Sequence, residues 1–285
     1  MSIFDRLQKI DRRILYVLLA LVIVVPLVRR PGVHPHIIAR EVSSAYKTLD
    51  NASKNKIVVL STTWSASTQA ENGPQTEALM RHLFKNGTKF VLISWDPVGS
   101  ELTYRMGSNI AKEMGKKYGR DWVHLGYTPY ASIVTVTSGM GKDFQRIFKR
   151  DRFNTKLSNI PVTANVKDYN QIGAVADITG TGSLPYWMAY FSVPNHVPLI
   201  FCTTAVGAAE AYPYLDSGQV AGMLNGVIGA SQYETLLGME NVPTYSVAAS
   251  WALSAAHIYI IALIVLGNIG YLVVSRSSRG GRRNG

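Results

Sequence analysis

At 285 residues, 47% hydrophobic and 16% charged, the chain has the composition of a folded protein with room for a sizeable core, not that of a disordered one. Its single cysteine, Cys202 in the apolar run 198–202, excludes an intrachain disulfide and a cysteine-based metal centre and reads as a buried, inert thiol. The net charge of +11 is segregated: 25 Lys and Arg lie up to Lys167, none lies between Asp168 and Ser275, and Arg276, Arg279, Arg282 and Arg283 close the chain.

Many of these basic residues flank two apolar segments, so the excess reads as membrane topology, and no nucleic-acid partner is expected. Residues 1–13 carry Arg6, Lys9, Arg12 and Arg13 ahead of the first segment, residues 14–28. Its 15 residues are short against the roughly 20 that cross a bilayer. Arg12, Arg13, Arg29 and Arg30 flank it, and their stems extend its effective length by snorkelling. No small-residue cleavage site follows before Arg29-Arg30-Pro31, which predicts a retained anchor. Residues 29–56 read as a helical connector with Ile37, Ile38 and Val42 as its apolar positions.

The expected folded domain covers residues 57–237. Apolar, β-rich runs at 57–63, 89–95, 122–126, 132–137, 173–178 and 198–203 predict strands. Helical patterns are expected at 74–85, 101–118, 142–152, 183–191 and 218–237, with Pro74 in a first helical turn and Gly87 just past a helix end. Continuous apolar strands separated by helices describe an α/β fold with a doubly wound, mostly parallel sheet, Rossmann-like or flavodoxin-like. Residues 238–250 read as a return linker. Residues 251–274 form the second apolar segment, free of acid, Lys and Arg, with Trp251 and Tyr271 at interfacial positions and His257 and Asn268 as its polar exceptions. The basic tail 275–285 sets the C-terminus in the cytoplasm, and two spans return the N-terminus there too. The expected location is a bacterial inner membrane with the domain periplasmic or extracellular.

In parallel sheets ligands bind beyond the carboxyl ends of the strands, where the strand order reverses. Thr62, Thr63 and Ser65 follow the first strand, Asp96 ends the second, and Asp177 begins the turn Asp177-Ile-Thr179-Gly180-Thr181-Gly182-Ser183. Together they suggest a polar pocket; the plain alternative for the glycine turn is a strand–helix connection capped by Ser183 or Thr181. The run Ser138–Asp143 lacks the first glycine and the Ser/Thr of a phosphate-binding loop. His82, His124 and His196 show no metal-ligand spacing, and no Gly-x-Ser-x-Gly elbow occurs. No cofactor, metal or catalytic constellation is expected. Gly218, Gly222, Gly226 and Ala230, four residues apart, predict a flat strip on one helix for packing within or between subunits. The basic stretch 142–152 reads as a solvated helix face or a docking surface.

The reading that follows is a membrane-anchored extracytoplasmic module with a non-enzymatic role in assembly or scaffolding. Its expected partners are the lipid bilayer, further copies of itself and other membrane proteins. The alternative is a small-ligand receptor or hydrolase using the strand-end pocket.

Overall fold

A computed structural model describes residues 10–33, 37–52 and 55–281, with residues 274–281 described by their backbone alone. Arg6, Lys9, Arg282 and Arg283 lie outside the described residues. The chain divides into two compact units, Met1–Val33 with Val242–Gly285, and His34–Asn241. Helix α1 (Arg12–Arg29) opens the first.

The second unit begins with α2 (Arg40–Asp50), whose Val42, Ala45 and Leu49 are buried. Residues 40–50 of the expected connector are therefore part of the domain core. Strand β1 (Ile57–Thr63), α3 (Gln69–Asn86), β2 (Phe90–Ser94), α4 (Pro97–Glu113) and β3 (Trp122–Tyr127) follow. A long crossover with α5 (Ile133–Met140) and α6 (Phe144–Ile147) then leads to β4 (Ile172–Thr179). Helix α7 (Leu184–Trp187) continues through a π turn (Met188–Ser192) into α8 (Val193–Asn195). Strand β5 (Leu199–Thr203), α9 (Ala208–Asp216), β6 (Gly222–Asn225) and α10 (Gly226–Leu236) complete the unit.

The six strands form one sheet in the order β3-β2-β1-β4-β5-β6, every neighbour parallel. This is the strand order of Rossmann sheets. Because strand side chains alternate, each strand feeds two cores. Val58, Leu60, Phe90, Leu92 and Ala176 pack with α2, α3, α4 and α10. Val59, Val91, Ile93 and Val175 pack with α5, α6, α7 and α9 on the other face. Helices cover both faces, which is why the strands are apolar along their length instead of alternating.

Local chemistry sets the helix ends. Asp96 accepts a 2.7 Å hydrogen bond from the Gly99 N–H, with Pro97 in the first turn of α4. Gly87 closes α3 with φ 69°. Three expected elements differ. Residues 132–137, read as a strand from their β-branched alternation, lie in α5, where Ile133, Val136 and Met140 bury one helical face. Helix propensities differ by only about 0.7 kcal/mol per ordinary residue, so that burial prevails. The basic stretch 142–152 is helical only over Phe144–Ile147. The expected helix 218–237 is a strand followed by a helix, because Met223 and Leu224 extend the sheet core next to β5.

The glycine strip dissolves with that helix. Gly218 occupies a turn at φ 76°, Gly222 lies in β6, and Gly226, at φ 52°, opens α10, which alone holds both Gly226 and Ala230. Gly222 has a different use: a Cβ there would collide with the Ala45 backbone, so its bareness lets α2 lie on β6. Gly222→Val is expected to destabilise the domain by about 3 kcal/mol. Thermal unfolding reads this directly, and an unchanged midpoint would contradict the close approach.

In the first unit, α11 (Tyr245–Gly281) contains a 29-residue stretch, Tyr245–Val273, in which an 18-residue window reaches a mean hydropathy of 2.0. It is long and apolar enough to cross a membrane, and it is the one such helix among the described residues, where two were expected. The expected first segment is helical, but three of the 18 residues of α1 are arginines, which shortens its apolar run. The return linker is shorter than expected, since α11 begins at Tyr245. Tyr259 Oη donates to Leu15 O at 3.0 Å and Trp251 Nε1 to Val33 O at 2.8 Å, joining the two apolar segments. Asn268 is satisfied within its own helix by Ile264 O, and His257 is exposed.

Candidate functional site

Chain direction reverses between β1 and β4. From β1 the chain moves outward to β2 and β3 with α3 and α4 on one face; from β4 it moves the other way with α7 and α9 on the opposite face. The loops after β1 and β4 therefore diverge and leave a crevice at the carboxyl ends of the strands. A cavity of about 240 Å³ opens there, lined by Thr63, Ser65, Thr68, Asp96, Tyr130 and neighbours. A larger one of about 710 Å³ lies over the ends of β4 and β5, lined by Gly182, Phe201, Thr203, Thr204, Glu210 and Tyr214 among others. Gly180 and Thr181 border both.

The floor is held by polar side chains of α3. Gln75 Nε2 donates to the carbonyls of Thr203, Leu224 and Gly226 at 2.8, 3.1 and 3.2 Å. Asn72 Nδ2 donates to Gln75 Oε1 at 2.9 Å and to Thr179 O at 3.2 Å. Both amides are fully buried, and they supply strand-end carbonyls with the donors that the end of a sheet lacks. Glu71 Oε2 accepts from the Ala205 N–H at 2.8 Å, tying the helix to the loop after β5. Gly180 N–H donates to Thr63 O, and Thr181 N–H to Thr179 Oγ1 at 2.9 Å. The Oγ1 atoms of Thr63 and Thr68, buried at the smaller cavity, have no hydrogen-bond partner among the described residues.

Of the residues singled out in the sequence, Thr63, Ser65, Asp96, Gly180, Thr181 and Gly182 line these cavities. Thr62, Asp177, Thr179 and Ser183 are buried and line neither. Strand alternation accounts for two of these. Thr62 points into the core beside Leu60 and donates to Ile93 O at 3.2 Å; Asp177 points into the opposite core beside Val175. Ser183, expected as a possible helix cap, makes no capping bond and donates to Asp177 Oδ2 at 2.6 Å.

Asp177 anchors a buried network. Ser61 Oγ donates to Asp177 Oδ1 at 2.9 Å and accepts from Trp95 Nε1 at 2.9 Å and Trp187 Nε1 at 3.1 Å. Complete burial raises the carboxyl pKa to about 7, against the opposing pull of donors Ser183 and Ser61. It lies buried and lines neither cavity. Burial likewise pushes the Cys202 thiol far up, in keeping with an inert residue.

The sequence reading passed over Asn72, Gln75, Thr203, Thr204, Glu210 and Tyr214. One signal was available: Thr203-Thr204 at the end of β5 repeats Thr62-Thr63 at the end of β1. Among the described residues no cluster of three His, Cys, Asp or Glu is placed to hold a metal ion. Set against protein-family models, curated proteins and solved structures, the chain matches none.

The chemistry of the crevice follows from its charges. Neither cavity is lined by Lys or Arg; Asp96 and Glu210 are the charged side chains there. The loop 64–68 between β1 and α3 contains no glycine, so its backbone cannot approach a pyrophosphate as a dinucleotide site requires. Hydroxyls, a carboxylate and apolar walls suit a neutral or cationic guest.

Proposed function

We propose that the chain is a membrane-anchored module whose α/β domain, outside the cytoplasm, binds a small neutral or amine-bearing molecule in the strand-end crevice. In this reading α11 spans the bilayer, α1 spans beside it with its arginines at the two surfaces, and both termini are cytoplasmic. The supporting observation is the convergence of Thr181, Thr203, Thr204 and Glu210 around an apolar cavity of about 710 Å³ that lacks any basic residue. The hydroxyl–carboxyl pairs Ser61–Asp177 and Ser183–Asp177 are buried and line neither cavity, which favours binding over hydrolysis.

Gly182 provides the test. Open space surrounds its Cβ position, so Gly182→Trp is expected to fill the cavity while leaving the unfolding midpoint of the free protein within about 2 °C. Thermal-shift screening of neutral and amine-bearing compounds is expected to find molecules that raise the midpoint of the wild type and not of the variant. Equal shifts in both proteins, or none in either, would count against the crevice. Protease added to intact cells or spheroplasts is expected to reach the domain and leave the arginine tail uncut. The expected role in assembly does not rest on the glycine strip, since Gly218, Gly222 and Gly226 lie in a turn, a strand and the start of a helix.

A further inference from the structure

Surface charge in the α/β domain is divided along the sheet order. Residues 90–167 build the β2–β3 side and residues 168–241 the β4–β6 side. The first carries 12 Lys and Arg against 6 Asp and Glu, of which Asp151 is buried; the second carries 6 Asp and Glu, of which Asp177 and Glu234 are buried, and no base, so the two surfaces have opposite sign. Helix α2, which packs over β6, adds Arg40 and Lys47 against Glu41 and Asp50 and leaves that balance unchanged.

The acids on the basic side are already engaged. Glu101 pairs with Arg105 and Arg152, Glu113 with Arg81, and Asp121 with Arg120. Asp96, Asp143 and Asp151 accept backbone N–H groups. The outer edge of β3 is lined by the segment around Arg152, whose N–H donates to His124 O at 3.0 Å. Lys149 and Lys156 flank that segment, both exposed. At the opposite edge, Tyr212 of α9 lies on one face of the sheet and Glu41 of α2 on the other. Tyr212 Oη donates to Glu41 at 3.4 Å around the outside of β6, and Asp216 is exposed at the end of α9. Both strand edges are thus covered, so side chains and not backbone would meet a neighbour.

We propose that copies of this chain associate side by side through unlike edges, the Lys149–Lys156 edge of one against the Glu41–Asp216 edge of the next. Pairing of like edges about a two-fold axis sets equal charges against each other and is disfavoured; unlike edges attract. Such head-to-tail contacts generate a ring or an open row. The association is independent of the crevice reading, because none of these four residues lines either cavity.

Charge reversal on the full chain in mild detergent, with mass photometry as the readout, tests it. The wild type is expected to form oligomers at low salt that dissociate towards about 0.5 M salt, where screening is short-ranged. Lys149→Glu with Lys156→Glu, and separately Glu41→Lys with Asp216→Lys, are each expected to weaken association about tenfold. An equimolar mixture of the two variants is expected to associate again, since each then presents the edges the other lacks. That rescue also shows that both variants are folded. A monomeric wild type, oligomers indifferent to salt and to both reversals, or weakened association without rescue on mixing would each overturn the proposal. So would loss of anionic-vesicle binding on reversing the lysines alone, with association intact, because the basic edge would then serve lipid headgroups.

Discussion

Replacing Asp177 by Asn is expected to stabilise the protein increasingly, relative to wild type, as pH rises from about 4 to about 7, with a gain on the order of 4 kcal/mol above neutral pH. The sign follows from proton linkage. In the unfolded chain the carboxyl titrates near 3.8, and in the folded domain near 7. Between these values the folded state keeps a proton that the unfolded state has released, so stability falls with rising pH and levels off above 7. Asn is neutral throughout, and the Ser183 hydroxyl can turn to accept from its amide. His124 works in the opposite direction: burial, aided by nearby Arg152, pushes its pKa down to about 3, so it favours the folded state as pH rises. The difference between variant and wild type, taken from urea unfolding at several pH values, removes that background. A constant difference across the range would contradict the account of Asp177.

The second large effect is expected at Gln75. Gln75→Leu keeps nearly the same volume but removes the donor shared by the carbonyls of Thr203, Leu224 and Gly226. Leaving buried acceptors without a partner costs about 1–3 kcal/mol for each group that stays dry. A loss of about 4 kcal/mol is therefore expected, with the loop after β5 and the β6–α10 junction exchanging amide hydrogens faster than the rest of the sheet. A uniform change in exchange, or a loss under about 1 kcal/mol, would show that water replaces the amide without cost. Because the loop after β5 walls the larger cavity, compounds that bind there are expected to bind the variant more weakly.

What the sequence disclosed, and what it withheld, divides along physical lines. Strands β1, β2, β4 and β5 were legible because both of their faces are buried and the apolar run is continuous. Helix α3 was legible from Pro74 onward: its first turn, Gln69–Gly73, carries Asn72, whose polarity looks like a loop and whose purpose, like that of Gln75, appears only when β4, β5 and β6 end beside it. Residues 218–237 were misread because Gly218, Gly222 and Gly226 mimic a helical spacing. What decides there is the Ala45 backbone lying against Gly222, far away in sequence.

The site was legible to the same degree. Residues after a strand end, such as Thr63, Ser65 and Thr181, come to the crevice because topology delivers every strand end to one rim. Residues inside a strand obey alternation, and a one-residue difference sends Thr62 and Asp177 into the cores. Glu210 and Tyr214 were invisible for a different reason: they sit on the short amphipathic helix α9, and only the order of β4 and β5 brings that helix to the cavity.

The most direct measurement is native mass spectrometry of the full chain released from its own membrane in mild detergent, with Gly182→Trp beside it. The account predicts a small neutral or amine-bearing adduct on the wild type, removable by mild activation and missing from the variant. Each protein at the mass of its own bare chain, or an adduct equally retained by Gly182→Trp, would contradict it.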